Sequence, residues 1–164
     1  LLRSADDFEA LSRVAKRARF WLRVSIEQRD SGNLLASAQD FLESGLSTQG
    51  RIKLRTIVES YPRCLNGISA KSLMVEQAEA VYAEALQRRA EGLNQIAGAL
   101  RQRCKEYLDL VEANLLTSPR VLTTEERGWL TRPDEGSASD PRNWLELENK
   151  IADRIKLLRE KLAK

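Results

Sequence analysis

SLMVEQAEAVYAEALQRRAEGLNQIAGALRQRCKEYLDLVEANL, residues 72–115, is the stretch that decides the fold class. Met74, Ala78, Val81, Ala85, Leu93, Ile96, Leu100, Cys104, Tyr107, Val111 and Leu115 recur mostly at alternating steps of three and four. That spacing lines up one apolar face on an α-helix. With no proline inside it, the stretch predicts one long helix from Ser72 to Leu115 that spans roughly 65 Å. A seam of threes and fours further predicts left-handed supercoiling against partner helices. Gly92 and Gly98 interrupt the stripe. They are expected to mark close approach by a neighbouring helix or a mild kink. A break at Gly92 is the alternative, but no proline or turn cluster accompanies it.

Working outward, Ser4 can cap a first helix whose early acidic residues Asp6, Asp7 and Glu9 suit the positive end of the helix dipole. Phe8, Leu11, Ala15, Ala18, Leu22 and Ile26 form its apolar face, expected to point at the core. Asp30-Ser31-Gly32-Asn33 is turn chemistry and is expected to end it. Two short helices should follow. One covers Leu34–Ser44, with Gly45 as a left-handed cap; the other covers about Gln49–Tyr61 and is stopped by Pro62. Pro62–Ser69 reads as a connecting loop.

Beyond the long stretch, Thr117-Ser118-Pro119 ends the helix, and Thr123 or Thr124 can cap one further turn through Trp129. Residues 132–140 carry the most loop-like composition and are expected to be a flexible linker. Asp140-Pro141 then starts a last helix with the seam Trp144, Ile151, Ile155, Leu158 and Leu162. The expectation is an all-α, elongated helical bundle over residues 1–131 around the long central helix (about 72–115). The helix at 141–164, amphipathic or coiled-coil, packs back on that bundle or on a partner.

Composition agrees with a helical assembly. Apolar residues make up 42% and charged residues 31% of the 164 positions, with only four prolines. Cys64 and Cys104 lie far apart without a CxxC pair and read as reduced, buried small hydrophobes. No apolar run approaches the ~20 residues of a membrane span. The cysteine usage favours an intracellular setting, cytoplasmic or nuclear. Because the chain opens Leu1-Leu2-Arg3 rather than with methionine, it is expected to be a piece of a longer protein.

Much chemistry is missing. The chain has no histidine, which removes the usual general base, the hydrolase triads and most zinc sites. Its eight isolated glycines form no phosphate-cradling or nucleophile-elbow motif. Glu76, Glu79 and Glu84 read as solvated or ion-paired surface, Glu84 four residues before Arg88. No cofactor, metal or small-molecule substrate is expected, and no catalysis by this chain.

One cluster stands out. Arg13, Lys16, Arg17, Arg19 and Arg23 fall within about 160° of the first helix, opposite Leu11, Ala18 and Leu22, with Phe20 among them. Such an arc can be plain solvated surface, can meet acidic residues of a partner, or can bind the phosphate backbone of nucleic acid. Phe20 could stack on a base, anchor a protein partner or pack beneath an adjacent segment. An anionic membrane is disfavoured, because the opposite apolar face is required for the core. The clusters Arg51-Lys53-Arg55, Arg88-Arg89 and Arg101-Arg103-Lys105 would enlarge this surface only if folding aligned them.

The leading expectation is a non-catalytic helical interaction or scaffold module of a larger intracellular protein, mediating protein–protein association or self-association. A nucleic-acid-binding helical domain using Arg13, Lys16, Arg17, Arg19, Phe20 and Arg23 is the rival. A third reading is an accessory domain that positions a catalytic domain elsewhere in the parent protein.

Overall fold

The computed structural model describes residues 4–131 and 140–164. The described residues form six α-helices and one 3-10 turn, without a strand. In chain order these are α1 (Ala5–Glu43), α2 (Ser47–Ser60), α3 (Leu65–Ala90), α4 (Asn94–Ala113), α5 (Thr124–Leu130), the turn Pro141–Asn143 and α6 (Trp144–Leu162). The all-α bundle is as expected; its longest member is not. Residues 132–139, the greater part of the expected linker, lie outside the described residues.

The predicted helix over 72–115 is two helices. Gly92 adopts φ +81°, which only glycine tolerates without strain. Its amide donates to the Arg89 carbonyl at 3.0 Å, and the Leu93 amide donates to that of Arg88 at 2.9 Å. This paired hydrogen bonding closes the end of α3 and turns the chain into an antiparallel hairpin with α4. Gly45, φ +78°, makes the same closure between α1 and α2, with Leu46 donating to Phe41 at 2.8 Å. The apolar stripe carries the signature of the break. From Ala85 to Leu93 it advances about 80° around the axis, opposite in sense to the drift of a heptad seam. Left-handed supercoiling over the whole stretch is therefore not what the pattern encodes.

No neighbouring helix approaches Gly98 closely: a Cβ built there meets nothing within 4 Å. The two glycines should then respond oppositely to alanine. Gly98→Ala is expected to stabilise by up to about 1 kcal/mol through helix propensity. Gly92→Ala is expected to destabilise by about 1 kcal/mol, because the left-handed cap excludes a side chain. Urea unfolding of both variants checks the pair of signs.

The second correction lies in α1, which runs unbroken through Asp30-Ser31-Gly32-Asn33 to Glu43. The turn-forming residues serve packing instead. Ser31 is buried, its hydroxyl donates to the Gln28 carbonyl at 3.2 Å, and it lies 3.6 Å from the Cys64 sulfur. A Cβ on Gly32 would meet the Asn66 amide group at 3.7 Å. Small residues here let the connection between α2 and α3 settle onto α1. Asn66 bonds the Gln28 side chain and backbone, both at 2.9 Å, and Arg63 pairs with Glu27 at 3.1 Å. The loop expected over Pro62–Ser69 is correspondingly short. Cys64 caps α3, its sulfur accepting from the Gly67 amide at 3.4 Å.

α3 is the central helix, in contact with α1, α2, α4 and α6. Ala70, Met74, Val75, Ala78, Val81 and Ala85 form its buried stripe, and the alanines leave room for neighbours on several sides. α6 lies on α3 and α4. Arg154 pairs with Glu79 at 2.8 Å, and Arg159 bonds both Asp109 and Glu112 of α4. Beneath these surface pairs, Lys71 and Glu148 form a buried ion pair at 2.5 Å.

Candidate interaction surface

α1 has two apolar faces on opposite sides of the helix, about 180° apart at 100° per residue. Phe20, Val24, Ser31, Leu35 and Ala38 face inward and are buried. Phe8, Leu11, Ala15, Ala18, Leu22 and Ile26, expected in the core, face solvent. Phe8 is 64%, Leu11 55%, Val14 66% and Leu22 62% exposed, which makes this an outward seam rather than a frayed edge of the core. The continuity of α1 explains the reversal. Ser31, Leu35 and Ala38 set its rotation against α2 and α3, and the N-terminal half must follow as part of one rigid rod.

From Ala5 to Arg19 only Ser12 and Arg17 are even partly buried, so this part of α1 stands free of the bundle. Its local chemistry supports a helix with little tertiary help. Ser4 accepts the Asp7 amide at 3.2 Å, Asp6 and Asp7 sit at the positive end of the dipole, and Glu9 pairs with Arg13 at 3.2 Å.

The predicted basic face is partly dismantled. Phe20 is 2% exposed and sits under α5, with ring centroids 4.9 Å from Trp21 and 5.2 Å from Trp129. It is a core aromatic and offers no ring to a base or a partner. Lys16, Arg19 and Arg23 line a shallow surface beside Glu125, Glu126 and Trp129 of α5. Arg17 turns toward Trp21, Trp129 and the Asp140–Arg142 corner. Among the described residues, Arg13 has its partner in Glu9, whereas Lys16, Arg17, Arg19 and Arg23 carry no ion pair. Lys16, Arg19 and Arg23 form one flank of the outward seam, between it and α5.

Folding does not merge the smaller basic clusters with this face. Arg51, Arg55 and Arg103 instead meet in a separate groove of about 430 Å3 between α2 and α4, with Glu106 and Tyr107 in its walls. Two of the three guanidinium groups are engaged: Arg51 bonds Gln77 and Arg55 pairs with Glu59, each at 3.1 Å. Arg88 pairs with Glu84 and Glu91, and Arg101 donates to the Leu162 carbonyl.

Both cysteines are free and buried. Burial pushes the Cys64 thiol up, and that of Cys104 up to about 11, which disfavours the nucleophilic thiolate at neutral pH. Among the described residues no three His, Cys, Asp or Glu side chains gather to hold a metal ion. Among the same residues no helix is long and apolar enough to cross a membrane.

No family model, curated protein or solved structure matches this chain. The surface of α1 therefore has to be interpreted from its own chemistry. The outward seam was visible in the sequence as a face; its exposure was not.

Proposed function

We propose that this chain is a non-catalytic helical module for protein association, and that the outward seam of α1 is its docking surface. One observation carries the reading. Phe8, Leu11, Val14 and Leu22 are all more than half exposed, the first three on the part of α1 that stands clear of the bundle. Leaving such a stripe in water forgoes roughly 1.5–3 kcal/mol for each large side chain that a partner could bury. Contiguous exposed apolar surface of this kind marks interaction sites far more often than it marks nothing. The rest of the fold serves as a mount: α2 and α3 hold the C-terminal half of α1 and so aim the N-terminal half outward.

Nucleic-acid binding retains Lys16, Arg17, Arg19 and Arg23, which carry no ion pair among the described residues, but the burial of Phe20 removes the stacking ring that favoured it. The association reading is tested with a photo-crosslinking residue at Val14 of the full chain, expressed in cells. A protein adduct is expected, and it should disappear in the variant Leu11→Glu/Leu22→Glu. Both leucines are exposed, so that variant should retain its fold by circular dichroism. Absence of any seam-dependent protein adduct would overturn the reading.

A further inference from the structure

The seam of α1 has a shape and a charge that narrow what can cover it. Phe8 and Leu11 stand at one end and Leu22 and Ile26 at the other, with Ala15 and Ala18 between them. The surface is therefore a saddle, high at both ends and low in the middle. Small residues at the centre let another helix backbone approach closely, and they leave room there for bulky side chains from the partner. Along one flank run Lys16, Arg19 and Arg23, three cations without an ion pair among the described residues. Glu125 and Glu126 of α5 lie on their far side and soften this charge without engaging it directly.

We infer that the seam receives an acidic amphipathic helix from another protein. Its apolar stripe would be bulkiest opposite Ala15 and Ala18, and its carboxylates would run beside Lys16, Arg19 and Arg23. A partner of this kind presupposes that α1 is the docking helix proposed above. Charge decides against a second copy of the same chain. Paired in parallel, each cationic flank would face the opposite flank of its twin, where Val14, Trp21 and Ser25 supply no carboxylate. Paired antiparallel with Leu11 against Leu22, like flank faces like flank, and the cations of the two copies would lie side by side within about one Debye length, roughly 10 Å. Shape decides against a membrane surface. The apolar face is narrow and its middle consists of alanine, which contributes little to partitioning.

The test uses the full chain and a fluorescein-labelled helical peptide with leucine at a and d and glutamate at e and g, read by fluorescence anisotropy. A matched peptide with lysine in place of glutamate is the control, together with sedimentation of the chain alone and with phosphatidylserine vesicles. The glutamate peptide is expected to bind at least about tenfold more tightly than the lysine peptide, and the difference should shrink at high salt. Arg19→Glu/Arg23→Glu should reverse the preference, and Leu11→Glu/Leu22→Glu should abolish binding of both peptides. Equal binding of the two peptides, or none, overturns the acidic partner. So does a dimer of the chain that Leu11→Glu/Leu22→Glu dissolves, or seam-dependent binding to vesicles without the peptide preference. A seam-dependent adduct at Val14 together with any of these results leaves the docking reading standing and removes only the acidic helix. Absence of the adduct removes the docking reading itself.

Discussion

Lys71→Met is expected to destabilise the protein by about 3–5 kcal/mol, the usual consequence of stranding one member of a buried ion pair. Lys71 and Glu148 are fully buried, 0% and 1% exposed, and their side chains meet at 2.5 Å across the α3–α6 contact. The ammonium also donates to the Pro62 carbonyl at 3.0 Å, which ties the start of α3 to the same point. Without the lysine, the Glu148 carboxylate would remain in an apolar setting with only the Leu116 backbone amide to favour its charge. Burial already raises its pKa, and the Lys71 ammonium opposes that rise; burial likewise lowers the pKa of Lys71 against the pull of Glu148. Glu148→Leu should cost about as much for the mirrored reason.

The double variant Lys71→Met/Glu148→Leu separates this account from simple loss of contacts. Among the described residues Glu148 Oε2 has no hydrogen-bond partner, so the native pair is incompletely satisfied. Two apolar side chains of similar volume remove both desolvation penalties together. The double variant is therefore expected near wild-type stability, well above either single variant. Thermal unfolding gives the readout: at roughly 2–4 °C per kcal/mol for a chain of this size, the single variants should melt on the order of 10 °C lower. A double variant no better than the singles would show that the pair contributes through geometry rather than charge balance.

Gly67→Ala is the second large effect. A Cβ at this position would sit 2.1 Å from the Tyr61 carbonyl oxygen, a severe overlap, and tight against further backbone, 3.1 Å and 3.2 Å from the Tyr61 and Pro62 carbonyl carbons. No rotamer change relieves a clash with main chain. The turn that joins α2 to α3 would have to lift off the first turn of α3. That turn carries the Cys64 cap, the Asn66 bonds to Gln28 and the Pro62 carbonyl that accepts from Lys71. Overpacking typically costs about 1–3 kcal/mol, and backbone clashes fall at or beyond the upper end. Gly67→Ala should consequently lose about 3 kcal/mol or more in urea unfolding. Gly98→Ala, with open space around it, should move stability the other way.

Much of this fold was legible along the chain. Pro62, Gly45, the Asp140-Pro141 start and the seam from Trp144 to Leu162 each signal a boundary or a buried face by local chemistry, and each stands where that chemistry puts it. The break at Gly92 was also written locally, in a form easily overlooked. Ser44-Gly45-Leu46-Ser47 and Glu91-Gly92-Leu93-Asn94 share one pattern, a glycine followed by leucine and a small polar residue. The first was read as a cap because it lies between short helices. The second has no proline or turn cluster beside it, so a break there stands only as the alternative to one continuous helix. The jump of the stripe from Ala85 to Leu93 was the independent sign that the two halves do not share one face.

The buried Lys71–Glu148 pair had no local signal, since it joins residues far apart in sequence that ordinarily belong to the surface. Nor did Phe20 announce its burial, because five cations surround it in sequence while α5 covers it only in space.

What the sequence by itself determined is therefore the all-α class, several helix ends, and on α1 an apolar face from Phe8 to Ile26 opposite a basic one that holds Phe20. Local propensity, capping and periodicity act within a few residues and need no tertiary partner. Which of those faces turns inward was decided only by the tertiary structure. Helix α1 passes straight through Ser31 and Gly32, where small side chains let the turn before α3 dock, and Leu35 and Ala38 then fix its rotation. A rigid helix cannot bury both sides against one bundle, so the longer-range contacts of its C-terminal half commit Phe20 to the core and leave Phe8, Leu11 and Leu22 in water.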